Sequence, residues 1–93
     1  VRTTRWTNAA QADLRGVIAY IATDNSYHAQ TVKDRIQTAA DGLARYNTGR
    51  PSRFPNTYEK LVSGLPYILV YRVEKSTIVV LRLIHTAQSY PPR

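Results

Sequence analysis

His85 is the side chain of this sequence best suited to exchanging a proton near neutral pH, and Arg82 stands three positions before it. A guanidinium fork holds a phosphate or carboxylate at two points, so the pair defines one chemistry: an anion held by Arg82 and protonated by His85. Arg50 and Arg53 add two more forks in the proline-stiffened run TGRPSRFP from Thr48 to Pro55. Backbone amides and both guanidinium groups are expected to converge in that stiff connection, which suits an anionic ligand. It lacks the glycine–lysine ending of a nucleotide-type phosphate loop. Arg72 is a further basic residue inside an apolar run, and Tyr67, Tyr71 and Tyr90 offer faces on which a base can stack. Such a set fits metal-free cleavage of a ribose phosphodiester, which needs an activated hydroxyl, a stabilised phosphorane and a protonated leaving oxygen. The only carboxylates in the C-terminal half are Glu59 and Glu74, so a paired-carboxylate mechanism has little support. Each residue also has a plainer reading. His85 can be a strand-end histidine bonded to backbone, the tyrosines can be packing residues, and Arg72 and Arg82 can snorkel from a sheet face.

Composition bounds the rest. The 93 residues carry 13 Lys and Arg against 6 Asp and Glu, a formal charge of +7. Ten of the thirteen cations are arginine, whose planar fork suits phosphate and carboxylate contacts. An acidic partner follows, either nucleic acid or an acidic protein, with solubility through net charge as the simple alternative. There is no cysteine, which excludes a disulfide, a thiol nucleophile and a Cys-based metal site. The two histidines, His28 and His85, are far apart in sequence, so neither a metal nor another cofactor is expected. No signal peptide or membrane-length apolar run is visible, and the cytoplasm is the expected compartment.

The elements that must position these residues are legible as patterns. Tyr67–Val73 and Ile78–Ile84 are runs of β-branched and aromatic residues joined by the polar Glu74–Thr77, a β-hairpin at the centre of a sheet. Its register stays open, since no Asn-Gly or Asp-Gly fixes the turn. Arg2 to Trp6 reads as a first strand. Thr7 or Asn8 caps a helix over about residues 9–22, whose apolar face is Ala10, Leu14, Val17, Ile18 and Ile21, with Asp13 near its positive end. Gly16 within it weakens the helix or lets a neighbour approach closely. Asn25 or Ser26 caps a second helix with Ala29, Val32, Ile36, Ala39 or Ala40, and Leu43 on one face, running until Gly49. The short connection makes an antiparallel helix pair. Thr57–Val62 is a further strand, and Ser63-Gly64 a turn into the hairpin. The expectation is one α+β domain over residues 1–93, with the helix pair packed on a mainly antiparallel sheet of about four strands.

In this order and spacing the strand, the helix pair, GRPSRFP, PYILVYRV and VLRLIH resemble the RelE/ParE toxin family of bacterial type II toxin–antitoxin systems, over essentially the whole chain. The resemblance implies a small basic toxin neutralised by a cognate antitoxin in a heteromeric complex, with operator DNA bound through the antitoxin. It implies one of two targets: DNA gyrase for ParE-like members, or messenger RNA cut on the ribosome for RelE-like members. The ribonuclease branch commonly reads Tyr-Arg-Leu-Val-Tyr at the start of the central strand. Here the run is Tyr67, Ile68, Leu69, Val70, Tyr71, with Ile68 in the arginine's place, and LRLIH looks more like the ParE ending. Related sequences often have glycine where Ser52 and Asn56 stand. From residue type and position, the residues expected to bind the target or nucleic acid are Arg50, Arg53, Arg72, Arg82 and Tyr90. His85 and Arg82 are catalytic on the ribonuclease branch only.

Overall fold

The computed structural model describes residues 2–52 and 54–87. The chain forms β1 (Thr3–Trp6), α1 (Asn8–Ala22), α2 (Ser26–Arg45), β2 (Arg50–Pro51), β3 (Tyr58–Leu61), β4 (Tyr67–Val73) and β5 (Thr77–His85). The sheet order is β1-β5-β4-β3-β2, antiparallel except for β1, which lies parallel to β5. The sheet thus has five strands where the sequence pattern gives about four, because Arg50 and Pro51 of the connecting run pair with Glu59 and Tyr58.

Both helices start where their caps place them. The Thr7 hydroxyl accepts from the Ala10 amide at 3.1 Å, and the Asn25 carboxamide oxygen accepts from the His28 amide at 2.9 Å, each satisfying a donor that the first helical turn leaves open. The end of α2 corrects the sequence reading: it stops at Arg45, and Tyr46 is already extended at φ −136, ψ 117. A buried hydroxyl on the helix-facing side of the sheet holds the segment that follows this stop. Tyr71 is completely buried in β4, accepts from the Gly49 amide at 3.0 Å and donates to the Asn47 carboxamide oxygen. Those bonds hold residues 47–49 against the sheet, where a continuing helix would carry them away. Gly49 is required there, since a Cβ would fall 2.8 Å from the Glu59 carbonyl oxygen and inside the Tyr71 hydroxyl.

The core lies between the helix pair and one sheet face. Val32, Ile36, Ala40 and Leu43 of α2 meet Leu69 and Tyr71 of β4 and Ile78, Val80 and Leu83 of β5, all at most 3% exposed. Val70 and Val79 point to the opposite face and are also buried, at 2% and 0%. Their cross-strand partners there are Glu59 and Arg82 for Val70, and Arg5 and Arg72 for Val79. Long charged side chains laid over two valines are the snorkelling arrangement, apolar stem inward and charge in water. Leu81 is the extra residue of a bulge, since Tyr71 pairs with Val80 and Val70 with Arg82. Among the described residues no helix is long and apolar enough to cross a membrane.

Candidate functional site

β1 covers the edge of β5 only as far as Val80. Beyond that point the start of α1 takes over. Thr7 donates its amide to the Val80 carbonyl at 3.0 Å and its hydroxyl to the Leu81 carbonyl at 3.0 Å. One and a half turns further along α1, the Asp13 carboxylate accepts from the Leu83 amide at 3.0 Å and from both arms of Arg82, at 2.7 Å and 3.0 Å. This corrects the sequence reading of Asp13 as a dipole partner. It lies past the first turn of α1, which holds no acidic residue, and it serves the strand.

That junction opens into a cleft of about 440 Å³ lined by Asp13, Val17 and Tyr20 of α1, Tyr67 of β4, and Arg82 and His85 of β5. Antiparallel pairing sets Tyr67 opposite His85, and their rings meet edge to face at 5.4 Å and 89°. The His85 Nδ1 accepts from the Ala87 amide at 3.0 Å, which leaves Nε2 to carry the proton of the neutral ring. Burial, with a smaller contribution from Tyr20, raises the Tyr67 hydroxyl above its ordinary pKa, so it remains a neutral donor. The hydrogen bonds and charge of Asp13 push Arg82 further toward its charged form.

Arg82 and His85 therefore line one cleft although three strand positions separate them, and the Arg82 fork is engaged by Asp13. The other described candidates are elsewhere and are also paired. Arg50 on β2 reaches Glu59 at 2.9 Å and 3.0 Å and borders a different cleft, with Ile68, of about 460 Å³. Arg72 on β4 reaches Glu74 at 2.6 Å and 2.8 Å. Arg53 and Tyr90 lie outside the described residues. The expected convergence of amides in the connecting run takes another form. Gly49 donates to Tyr71, Ser52 and Thr57 donate to each other's segment, and Phe54 donates to the Ser52 hydroxyl at 3.2 Å. Those donors close the turn on itself, with Asn56 at φ 63 completing it. Tyr71, a candidate for base stacking, is core and stacks on Tyr58 at 5.6 Å.

Of the α1 residues in the Arg82 cleft, sequence reasoning missed Tyr20 altogether and the role of Asp13. Asp13, Gly16, Val17 and Tyr20 recur at offsets of 3, 4 and 7 and form one row of α1. The signal was an acid and an aromatic flanking the apolar stripe. The partner of Asp13, Arg82, is 69 positions away and no local pattern links the two. Among the described residues no three His, Cys, Asp or Glu side chains gather to hold a metal.

Comparison with known proteins gives the class. Residues 4–90 match the family model described as the ParE toxin of the type II toxin–antitoxin system parDE. A putative toxin of Sinorhizobium fredii, Y4kP, is 39% identical over 88 residues, 94% of this chain and 91% of its own length. Toxin RelE2 of Caulobacter vibrioides is 36% identical over 84 residues, 89% of this chain and 93% of its own. In solved structures, a chain of the chromosomal ParDE toxin–antitoxin system from P. aeruginosa superposes with a TM-score of 0.79 at 25% identity, covering 90% of this chain and 95% of that one. The chain belongs to the ParE toxin family, within the wider RelE/ParE group of type II toxins.

Proposed function

We propose that this toxin arrests growth by capturing DNA gyrase rather than by cutting RNA, and that a cognate antitoxin neutralises it. The observation that carries this reading is the Asp13–Arg82 pair. Asp13 and Arg82 sum to zero charge in the cleft that His85 lines. Ile68, in the place where ribonuclease members carry an arginine, supplies no charge to the neighbouring cleft that it lines with Arg50. A phosphorane formed beside His85 would meet no free cation among the described residues of that cleft, and losing one such electrostatic contact costs about a hundredfold or more in rate. The second reading, a metal-independent ribonuclease acting on ribosome-bound message, has one observation in its favour: Arg82 and His85 share that cleft.

The partner follows the P. aeruginosa neighbour, which is a ParDE pair. An acidic antitoxin segment fits a chain of charge +7, and the pair would reach operator DNA through the antitoxin. Two assays on purified protein separate the readings. With gyrase and relaxed plasmid, blocked supercoiling or trapped cleavage is expected. With programmed ribosomes, no new 5′ ends are expected. Cleavage that vanishes in Arg82→Ala or His85→Ala, with gyrase unaffected, overturns the proposal.

A further inference from the structure

At the other end of β5 the cations are not neutralised. A cleft of about 630 Å³ is lined by Arg2, Ala44, Arg45, Tyr46, Lys75 and Ser76. It brings three positive side chains together and has no carboxylate in its lining. Arg2, Arg45 and Lys75 form no ion pair among the described residues, whereas Arg50, Arg72 and Arg82 each do. Glu74, the acid next to Lys75, is taken by Arg72 at 2.6 Å. We propose that Arg2, Arg45 and Lys75 form a binding site for single-stranded nucleic acid, gripping its phosphates while one base stacks on Tyr46.

The site is built on fixed backbone. The Arg2 amide donates to the Ala44 carbonyl at 3.2 Å, its Nε donates to the Glu74 carbonyl at 3.3 Å, and the Thr3 amide donates to the Ser76 carbonyl at 2.9 Å. These bonds stitch the chain start, the end of α2 and the β4–β5 turn into one wall. The Tyr46 amide is tied to the Gly42 carbonyl at 3.0 Å, while its side chain stands in solvent at 74% exposure. An anchored aromatic beside a cluster of cations is the arrangement by which strand-binding proteins hold a base and its backbone without reading sequence. A base stacks face-on against such a ring while its flanking phosphates reach the cations, and this pairing of contacts is what favours nucleic acid over an acidic peptide. One feature opposes an anion: the carbonyl end of α2 carries the equivalent of about half a negative charge. Three full positive charges outweigh it. The volume falls within the ~300–1,000 Å³ typical of ligand sites. Lys75 lies roughly 20–30 Å from Arg82 and His85 at about 3.3 Å per strand residue, so the two clefts are separate and this site does not depend on the target reading.

The test is fluorescence anisotropy of a labelled oligodeoxythymidine titrated with the full chain over a salt series. Arg45→Gln with Lys75→Gln should weaken binding at least tenfold and flatten the logarithmic salt slope by about 1.4, the value for two lost phosphate contacts on a single strand. Arg15→Gln with Lys33→Gln, which removes the same charge from the helices, should weaken it less than threefold. Tyr46→Ala should weaken binding with the salt slope unchanged, and Tyr46→Phe should restore it. Lys75→Glu, a single change on an exposed turn, gives the same reading if the double variant melts early. Equal losses in the two double variants would mean diffuse charge attraction and overturn the site. So would a Tyr46→Ala protein that binds normally, or a polyglutamate competitor as effective as unlabelled oligonucleotide, which would assign the cleft to an acidic protein segment.

Discussion

The Tyr71 hydroxyl accepts the Gly49 amide proton at 3.0 Å across 22 residues of sequence, in the segment between the end of α2 at Arg45 and the start of β2 at Arg50. Tyr71→Phe leaves that amide and the Asn47 carboxamide without their partner. Asn47 is exposed and Gly49 half-buried, so the loss is that of ordinary hydrogen bonds, about 0.5–1.5 kcal/mol, and the urea midpoint should fall with the slope unchanged. Gly49→Ala should cost more, because the added carbon meets both the hydroxyl and the Glu59 carbonyl. A Tyr71→Phe midpoint equal to that of the parent would show that the latch contributes nothing.

The same hydroxyl sets an alkaline limit. Burial raises the Tyr71 pKa above 10, the Gly49 bond opposing it, and burial also raises that of Tyr67. The folded protein therefore keeps phenolic protons that the unfolded chain has already released. Its stability from this source is complete below pH 10 and declines as pH rises through the folded-state values. Unfolding free energy measured from pH 9 to 11.5 should fall, and Tyr71→Phe should flatten part of the slope. An identical slope in the variant would assign the decline to other groups.

Much of the architecture was written in local pattern. The stripe in α1, the caps at Thr7 and Asn25 and the two apolar runs of the hairpin each reflect a short-range rule, and each element formed where that rule puts it. What was not legible is long-range. The parallel seat of β1 on β5 and the pairing of Asp13 with Arg82 join residues about 70 positions apart, and neither side of such a contact announces the other. The second helix reads too long because residues 46–49, which local pattern leaves open to helix, are held by Tyr71 on a strand distant in sequence. The arginines were legible as cations but not as partners of Glu59, Glu74 and Asp13, so a shared anion site was expected where the fold distributes three separate pairs.

The Asp13–Arg82 pair should matter more for charge in the cleft than for stability. Arg82 is half exposed, and pairs of that kind contribute about 0–1 kcal/mol after solvent screening. Asp13→Asn also weakens the acceptor for the Leu83 amide, so a loss of about 1 kcal/mol in denaturant is expected. The same change leaves Arg82 uncompensated, and RNA affinity at low salt should rise a fewfold without cleavage. New RNA fragments with Asp13→Asn would show that the carboxylate masks a competent nuclease site.

Antitoxin capture should be steered by charge and held by apolar contacts. Leu61, Phe54, Tyr20 and Tyr27 are large apolar or aromatic side chains left 44–83% exposed, the material from which interface anchors are made. Raising salt from 50 mM to near-molar should slow association by about tenfold or more and change dissociation little. An association rate indifferent to salt contradicts the steering; a dissociation rate that climbs in parallel contradicts the apolar anchoring.

The central claim is that growth stops through gyrase and not through message cleavage. Its most direct test is one culture sampled minutes after toxin induction without antitoxin, with plasmid topology and RNA 5′ ends measured from the same cells. Loss of negative supercoiling or the appearance of broken plasmid, with the 5′-end map unchanged, is the result predicted. Unchanged plasmid topology together with new 5′ ends inside translated reading frames would contradict the account and move the chemistry back to Arg82 and His85.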